Sequence, residues 1–306
     1  MAGLLKRAIL VAATNRVLTA FVQRHGMRLG ASRFVAGETL DECAVVLRRL
    51  NEQGLRANTT LLGEDVIDRA GAAAAVAAYE QILDRIAREN LSVNVALKLT
   101  HLGLGLGEQL AYDNASRVVD RAADHGNFVR IDMEGSSVVD ATLRIYRRLR
   151  ESRRDNVGCV LQAYLRRSER DLTELLPLRP NLRLVKGAYL EPPELAFPHK
   201  QEVDSAYVRL LEAALAGGMH VAVATHDERL IEHAIRFAEH ERIPHDRFEF
   251  QMLYGVRSQL QRDLVARGYT VLVATPFGPA WYPYLIRRLA ERPANFLFVL
   301  RTLVRR

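Results

Sequence analysis

The sequence predicts an α/β protein built on a (βα)8 barrel with an N-terminal helical extension. Eight short runs rich in apolar and β-branched residues recur along the chain, and helix-like segments separate them. Strands that alternate with helices pair in parallel through crossovers, and eight such units close naturally into a barrel. The length of 306 residues suits a fold that commonly takes about 250 residues as one unit. A doubly wound open sheet is the structural alternative.

Residues 1–35 are predicted to form the helical segment, and residues 36–306 the catalytic barrel domain. The stretch 1–26 is apolar but interrupted by Lys6, Arg7, Arg16 and Arg24. These charges argue against a clean signal peptide and against a membrane span of about 20 apolar residues. The pattern favours an amphipathic helix that packs on the barrel; contact with a membrane surface is the alternative.

The predicted strands follow in order. The first four cover residues 55–62, 92–100, 127–134 and 156–164, and the last four cover 181–189, 220–227, 248–253 and 269–275. Short apolar runs of this kind are typical of strands that a parallel sheet buries on both faces. The segments between them, such as 71–90 and 205–218, have helical composition, and no linker divides residues 36–306.

Polar side chains stand at or near the carboxyl ends of most of these runs, where a barrel has its active-site rim. They are Lys98, Asp132, Glu134, Gln162, Tyr164, Lys186, Tyr189, Thr225, His226, Asp227 and Gln251. Any one of them could be a satisfied core group. Their recurrence from strand to strand indicates a site.

Composition narrows the function classes. The net charge of +7 invites a nucleic-acid interpretation, but the arginines alternate with acids, as in RRLRESRRD (147–155), and no basic tract is interleaved with stacking aromatics. No nucleic-acid partner is therefore expected. The two cysteines, Cys43 and Cys159, lie in helix-like and strand-like runs, which makes a disulfide framework improbable and fits a reducing, cytoplasmic compartment.

The sequence lacks the motifs of several kinds of catalytic or cofactor site. No HxH pair occurs at the first strand, and His220, His226 and His233 have no ligand-like spacing, so no metal is predicted. The stretch HLGLGLG (101–107) is followed by Glu108 where a dinucleotide fingerprint has its third glycine, which favours a simple turn. Gly-x-Ser-x-Gly is absent.

The stretch RLVKGAY (183–189) is compatible with two classes of enzyme, a Schiff-base aldolase and a flavoenzyme. Lys186 could serve as the Schiff-base nucleophile of an aldolase. Gly187, in a run that otherwise prefers bulk, suggests close approach by a flat ligand or another backbone, and Arg183 and Lys186 flank it with positive charge. These features suit a flavin. A barrel that only binds ligands or partners is the non-enzymatic alternative.

The stretch YPYLIRRLAE (282–291) carries a polar stripe. In a helix, Tyr284, Arg287, Arg288 and Glu291 fall at i, i+3, i+4 and i+7, on one face. A solvated face is the simplest interpretation of such a run.

Several long motifs follow one another over most of residues 40–300. They are NVALKLTHLGL, IDMEGS, VLQAYLRRSERDL, RLVKGAY with LAFPHKQEVDSAY, ATHD, FEFQMLYG and WYPYLIRRLAERPAN. In this order they resemble the motifs of the proline dehydrogenases, the monofunctional FAD-dependent enzymes built on a distorted (βα)8 barrel. The resemblance implies oxidation of L-proline to Δ1-pyrroline-5-carboxylate with FAD, and delivery of electrons to a membrane quinone. It also implies a protein at or near the inner face of the membrane.

The resemblance implies that the polar stripe binds the substrate. It implies that Arg287, Arg288 and Lys98 hold the substrate carboxylate, that Glu291 pairs with the arginines, and that Asp132 belongs to the same network. Planar guanidinium forks suit a carboxylate, because paired hydrogen bonds fix orientation as well as charge. The implied lining of the substrate pocket is Leu184, Tyr189, Ala274 and Tyr284. The implied FAD contacts are Asp132, Met133, Val160, Gln162, Arg183, Lys186, Gly187, Ala188, Thr225, His226, Gln251, Arg288 and Glu291.

One position departs from the family. The eighth strand typically ends in Tyr-x-Pro-x-Gly, whereas this chain has Ala274-Thr275-Pro276-Phe277-Gly278. Loss of a phenol leaves space beside the substrate ring. A substituted ring such as 4-hydroxyproline is therefore the alternative substrate, unless a neighbour such as Phe277 fills the gap.

Overall fold

The structure is a computed structural model that describes Val22, Arg24, residues 26–28 and residues 30–291. Eight parallel strands form one closed barrel in chain order, which confirms the predicted fold. The strands are β1 (Arg56–Leu61), β2 (Val93–Leu97), β3 (Val129–Ile131), β4 (Val157–Gln162), β5 (Asn181–Val185), β6 (His220–Ala224), β7 (Phe248–Leu253) and β8 (Val271–Phe277).

Helices precede β1 and follow each strand within the described ranges. They are α1 (Leu40–Glu52), α2 (Arg69–Arg88), α3 (Glu108–Asp124), α4 (Val139–Glu151), α5 (Ser168–Leu175), α6 (Lys200–Ala216), α7 (Glu228–His240), α8 (Ser258–Ala266) and α9 (Trp281–Glu291). Local sequence sets the helix starts. Thr39 and Glu42 form a capping box at α1, and Asp68 accepts a hydrogen bond from the Gly71 amide at α2.

Most strands are shorter than the apolar runs that predict them. Lys98, Asp132 and Lys186 all lie just beyond the last residue of their strands, in the loops of the barrel mouth. The eighth strand is as long as predicted but is shifted by two residues, since it begins at Val271 and continues through Pro276 to Phe277. Pro276 needs no amide partner there, and its carbonyl accepts a hydrogen bond from the Ala36 amide.

The barrel lumen is polar, and the layer between strands and helices is apolar. Alternation along each strand produces this division, because neighbouring side chains point to opposite faces. On β3, Val129 and Ile131 are buried in the apolar layer, while the Arg130 guanidinium lies over Gly158 of β4 and donates to the carbonyl of Cys159 at 3.0 Å. A Cβ on residue 158 would collide with that guanidinium. Burial, together with the charge of Arg183, lowers the pKa of Arg130 to about 10.

The outer ring is distorted where the barrel closes. Helix α1, which precedes the first strand, packs on β8 and β1 and so covers the closing seam. Helix α9 packs elsewhere: Trp281 and Leu285 join Phe34 and Val35 in a separate apolar cluster, and Trp281 Nε1 donates to Glu38 Oε1 at 2.6 Å.

Most of the predicted N-terminal helical segment, residues 1–35, lies outside the described residues, so the proposed domain boundary stays a prediction. Within the part of the chain that the structure covers, no helix has the length and hydropathy needed to cross a bilayer.

Candidate active site

Arg183 is the centre of a hydrogen-bond network that crosses the barrel lumen. Its side chain donates to Gln251 Oε1 at 2.6 Å, to Asp132 Oδ1 at 2.6 Å and to Asn58 Oδ1 at 2.7 Å. Gln251 is on β7, Asp132 is in the loop after β3, and Asn58 is on β1. One guanidinium therefore connects three parts of the barrel wall. Arg183 is buried, and these three hydrogen bonds to polar side chains satisfy a charge that would otherwise be costly to bury.

A further carboxylate orients the amide in this network. Gln251 Nε2 donates to Glu249 Oε1 at 2.6 Å, which leaves the Gln251 oxygen turned toward Arg183. Asn58, in turn, donates from its side-chain nitrogen to Asn94. The predicted site residues Arg183, Gln251 and Asp132 are therefore brought together, and Asn58, Asn94 and Glu249 extend them.

Lys98 stands at the mouth and forms an ion pair with Glu64, three residues beyond the end of β1. The side chains are 14% and 25% exposed, so the pair lies between lumen and solvent. Glu64 is a site residue that was not predicted, although a carboxylate that follows the first strand was a visible signal. It places a negative charge beside the lysine that is expected to hold a substrate carboxylate.

Glu134 ties three strand ends together. Its carboxylate accepts from the Thr100 amide at 3.2 Å and from the Thr100 hydroxyl at 2.6 Å, and its carbonyl accepts from Gln162 Nε2 at 2.8 Å. The loops after β2 and β3 and the end of β4 are thus connected by one residue. Burial raises the pKa of Glu134, while the Thr100 bonds act in the opposite direction.

Lys186 is engaged with two carboxylates. Its Nζ lies 2.5 Å from Asp204 Oδ1 and 3.1 Å from Asp227 Oδ2. Lys200 and Arg229 pair with the same two acids. Arg229 first, and then Lys186, hold the pKa of Asp227 well below its usual range. These two contacts occupy the Lys186 nitrogen, so the geometry gives no support to the Schiff-base aldolase, which needs an amine that is free to attack a carbonyl.

Thr225 and His226 lie in the loop after β6, beside this cluster. The Thr225 hydroxyl accepts from the Asp227 amide at 3.2 Å, and His226 Nε2 accepts from the Leu253 amide at 2.9 Å. That second bond joins the ring, which comes from the loop after β6, to the last residue of β7. Both predicted cofactor residues therefore stand at the mouth.

Gly187 has a close protein neighbour. A Cβ at this position would collide with the ring of Tyr164, and the backbone has φ 113°. The protein atoms nearest to that Cβ belong to a tyrosine side chain and not to another backbone, and the contact of Gly187 with a flat ligand stays a prediction. Beyond it, the half-buried Tyr189 and the exposed Ala188 continue the loop along the mouth.

The polar stripe of α9 is helical, as predicted. The Arg288 guanidinium lies over the Tyr284 ring, 5.5 Å from its centroid, and both side chains are half-buried. A wholly solvated face would leave them more exposed. The side chains of Arg287 and Glu291 lie outside the described residues, so their roles stay predictions.

Strand register decides which apolar candidates face the lumen. Ala274 pairs with Asn58, which bonds to Arg183, so Ala274 is on the lumen side. Val160 pairs with Arg183 and shares that side. Phe277 is three residues from Ala274, on the opposite face of β8, and is buried in the main core; it does not fill the space beside Ala274.

Leu184 is turned away from the lumen. It adjoins Arg183 on β5, lies on the opposite face of that strand and is buried in the apolar layer. The predicted position of Leu184 in the pocket wall is not supported. Met133 follows Asp132 in the loop after β3 and is buried in the main core, and its contact with the cofactor stays a prediction.

The donor set suits a dinucleotide with an anionic linker. At the start of α7, the cations Lys186, Lys200 and Arg229 outnumber the anions Asp204 and Asp227 by three to two. A helix N-terminus adds partial positive charge there, which favours a diphosphate. Among the residues that the structure describes, no group of three or more His, Cys, Asp or Glu could hold a metal ion.

Comparison with protein families gives a match over residues 43–301 to the model described as proline dehydrogenase. The chain is 39% identical over 303 residues to proline dehydrogenase 1 of Bacillus subtilis subsp. natto, covering 99% of this chain and 100% of that one. It is 41% identical over 279 residues to proline dehydrogenase of Deinococcus radiodurans, covering 90% of each.

A solved structure shares the fold. It is proline utilization A (PutA) from Bdellovibrio bacteriovorus, inactivated by N-propargylglycine, with a TM-score of 0.81 and 26% sequence identity. The match covers 89% of this chain and 34% of that one.

Proposed function

Since this chain belongs to the proline dehydrogenase family, we propose that it oxidises L-proline to Δ1-pyrroline-5-carboxylate at the mouth of its barrel. The observation that carries the proposal is the Arg183 network, with Lys98 and Arg288 as further cations on the mouth and on α9. Such a site can bind a small carboxylate and a dinucleotide together. The family supports the reaction, and the geometry supports the choice of residues.

Lys98 and Arg288, with Arg287, hold the carboxylate of the substrate. The guanidiniums contribute paired hydrogen bonds, and the ammonium contributes a compact charge. Glu64 forms an ion pair with Lys98. The substrate carboxylate therefore either shares the Lys98 ammonium with Glu64 or displaces Glu64 from it. The stack on Tyr284 restricts the Arg288 side chain and lowers the entropy lost when the carboxylate binds.

FAD is the proposed cofactor, and when bound it accepts the hydride that leaves the substrate ring. The lumen group Arg183, Gln251 and Asp132 would contact its ring system. The Lys186 cluster and the N-terminus of α7 would hold its diphosphate. Thr225 and His226 would line the passage between these two regions. The chain's own contribution is orientation and charge complementarity.

The proposed electron acceptor is a membrane quinone. A quinone is dissolved in lipid, so the protein would work in the cytoplasm in peripheral contact with the inner face of the membrane. The proposal includes no nucleic-acid partner.

The test is a proline assay with a water-soluble dye acceptor on purified protein. We expect a yellow protein that reduces the dye when L-proline is added. Arg288→Ala should keep the flavin and lose about 1.5–3 kcal/mol of transition-state stabilisation, roughly 10- to 150-fold in kcat/KM, because the carboxylate loses a charge-assisted partner. The control is Arg147→Ala, in an exposed pair with Glu174 on the outer helices. A colourless protein that rejects added FAD would refute the proposal.

Ala274 supports a second substrate. Its place on the lumen side, with Phe277 turned away, leaves room beside the ring of the substrate. We expect 4-hydroxyproline or another substituted cyclic amino acid to be turned over at least as well as L-proline. Selectivity changes of about 1–3 kcal/mol are typical for one lost contact surface.

The measurement is anaerobic bleaching of the flavin with a panel of cyclic secondary amino acids, on the parent and on Ala274→Tyr. The substitution should shift the preference toward proline. A strong proline preference in the parent that the substitution leaves unaltered would show that another residue closes the pocket.

A further inference from the structure

Exposed apolar side chains gather on one edge of the barrel. Among the described residues, five large apolar side chains are exposed, and four of them, Ile67, Leu106, Leu190 and Leu195, lie in loops that follow the carboxyl ends of strands. The fifth, Val45, is on α1. The four therefore share the face that carries the candidate active site, and we call them the apolar rim.

The loops of the apolar rim are joined into one arc. The Val66 amide donates to the Thr100 carbonyl at 3.4 Å, which links the loops after β1 and β2. Thr100 donates to Glu134 in the loop after β3. Ser136, in that loop, donates from its amide at 2.7 Å and its hydroxyl at 2.5 Å to Glu191, next to Leu190.

The exposure is not a consequence of loose backbone. Ile67 stands between Val66, which is hydrogen-bonded to Thr100, and Asp68, which caps α2. The Leu195 amide donates to the Pro192 carbonyl at 2.9 Å, and its own carbonyl accepts from the Arg166 amide at 2.9 Å. Hydrogen-bonded backbone thus flanks Ile67, whose side chain is 89% exposed, and carries Leu195, whose side chain is 46% exposed. Such groups mark interaction surfaces when they cluster.

We propose that the apolar rim is the surface through which the protein docks on a lipid bilayer, with the mouth of the barrel facing the membrane. This rests on the proposed function, because a quinone must then reach the mouth from the lipid. The charges among the rim residues are mixed, with Asp65, Asp68 and Glu194 beside Arg69 and Arg166. That mixture fits shallow apolar insertion into zwitterionic lipid better than attraction to anionic headgroups.

The test uses the full chain loaded with flavin. Sedimentation with phosphatidylcholine vesicles is measured for the parent, for a variant with Ile67→Ser, Leu106→Ser, Leu190→Ser and Leu195→Ser, and for the control Val45→Ser. We expect the rim variant to lose at least about tenfold in vesicle affinity, and the control to bind as the parent does. Raising the salt concentration should change binding little. Proline reduction of a water-soluble dye should be preserved, whereas reduction of a quinone in the vesicles should fall with binding.

Equal binding of parent and rim variant would overturn the proposal. So would a parent that needs anionic lipid, or a rim variant whose main change is dissociation of a dimer in solution. A parent that binds vesicles through the rim yet oxidises no proline would refute the proposed function alone. If the fourfold variant does not fold, Ile67→Trp replaces it: its fluorescence should shift to the blue on vesicles, and that of Val45→Trp should not.

Discussion

At the scale of single residues, Arg183 decides how the lumen is held together. Its three hydrogen bonds point in three directions to Asn58, Asp132 and Gln251. An ammonium at the same place is a single nitrogen and cannot reach all three. We expect Arg183→Lys to lower the free energy of unfolding by about 2–4 kcal/mol, since buried acceptors lose their donors. Urea denaturation measures this, and Arg147→Lys on the outer surface should change stability little.

Glu134 gives a second prediction, on pH. Burial raises its pKa in the folded protein above the value in the unfolded chain. The folded state therefore binds the proton more tightly than the unfolded chain does. This tighter binding adds to the free energy of unfolding in full below the pKa that Glu134 has in the unfolded chain. The contribution is lost as the pH rises through the pKa that Glu134 has in the folded protein. The amide of Glu134→Gln does not titrate, so the variant does not lose this contribution. Its free energy of unfolding, relative to that of the parent, should therefore increase as the pH rises. Urea denaturation at several pH values measures the difference, with the exposed Glu194→Gln as control; a constant difference would contradict it.

At the scale of residues, the sequence could predict which charged and polar side chains stand at the ends of strands. Lys98, Asp132 and Gln251 were found because a charged or polar group after an apolar run is visible in one dimension. The face on which Leu184 points was not predictable in this way, because it depends on the register of the strands in the closed barrel. Glu64 was missed because its importance comes from Lys98, which is distant along the chain and adjacent only in the closed barrel.

At the scale of elements, the loop after β5 depends on one glycine. Gly187→Ala would force a side chain onto the Tyr164 ring at a backbone conformation that non-glycine residues rarely adopt. We expect a loss of about 1–3 kcal/mol in stability and faster proteolysis of the loop. The control is Gly105→Ala, where an added Cβ meets nothing within 4 Å. Equal melting temperatures for the two variants would show that the loop adapts.

The helices and strands themselves were largely predictable, because apolar runs and caps are local signals. Their exact ends were not, since the last polar residues of each run leave the sheet for the mouth. The docking of α9 was also hidden. Trp281 and Leu285 pack on residues near Phe34, a contact between distant parts of the chain that periodicity cannot reveal.

At the scale of the whole molecule, two buried thiols report on how the barrel unfolds. Burial raises the pKa of Cys43 and of Cys159 to about 12, so both are protonated thiols at pH 8. Cys43 lies in α1 on the seam, and Cys159 in β4. We expect Ellman's reagent to modify neither in the native protein and to modify both at the same urea midpoint. Single variants Cys43→Ala and Cys159→Ala separate the signals. An earlier midpoint for Cys43 would mean that the seam opens before the barrel.

That seam also governs how the chain is completed on the ribosome. Strand β1 ends at Leu61, but β8, one of its two neighbours, ends at Phe277. At translation rates of about 5–20 residues per second, the nascent polypeptide carries an open strand edge for roughly 10–40 s. Throughout that interval α1 has only half of its packing surface. Residues 40–52 would therefore offer an apolar helix face to chaperones for the whole of that interval.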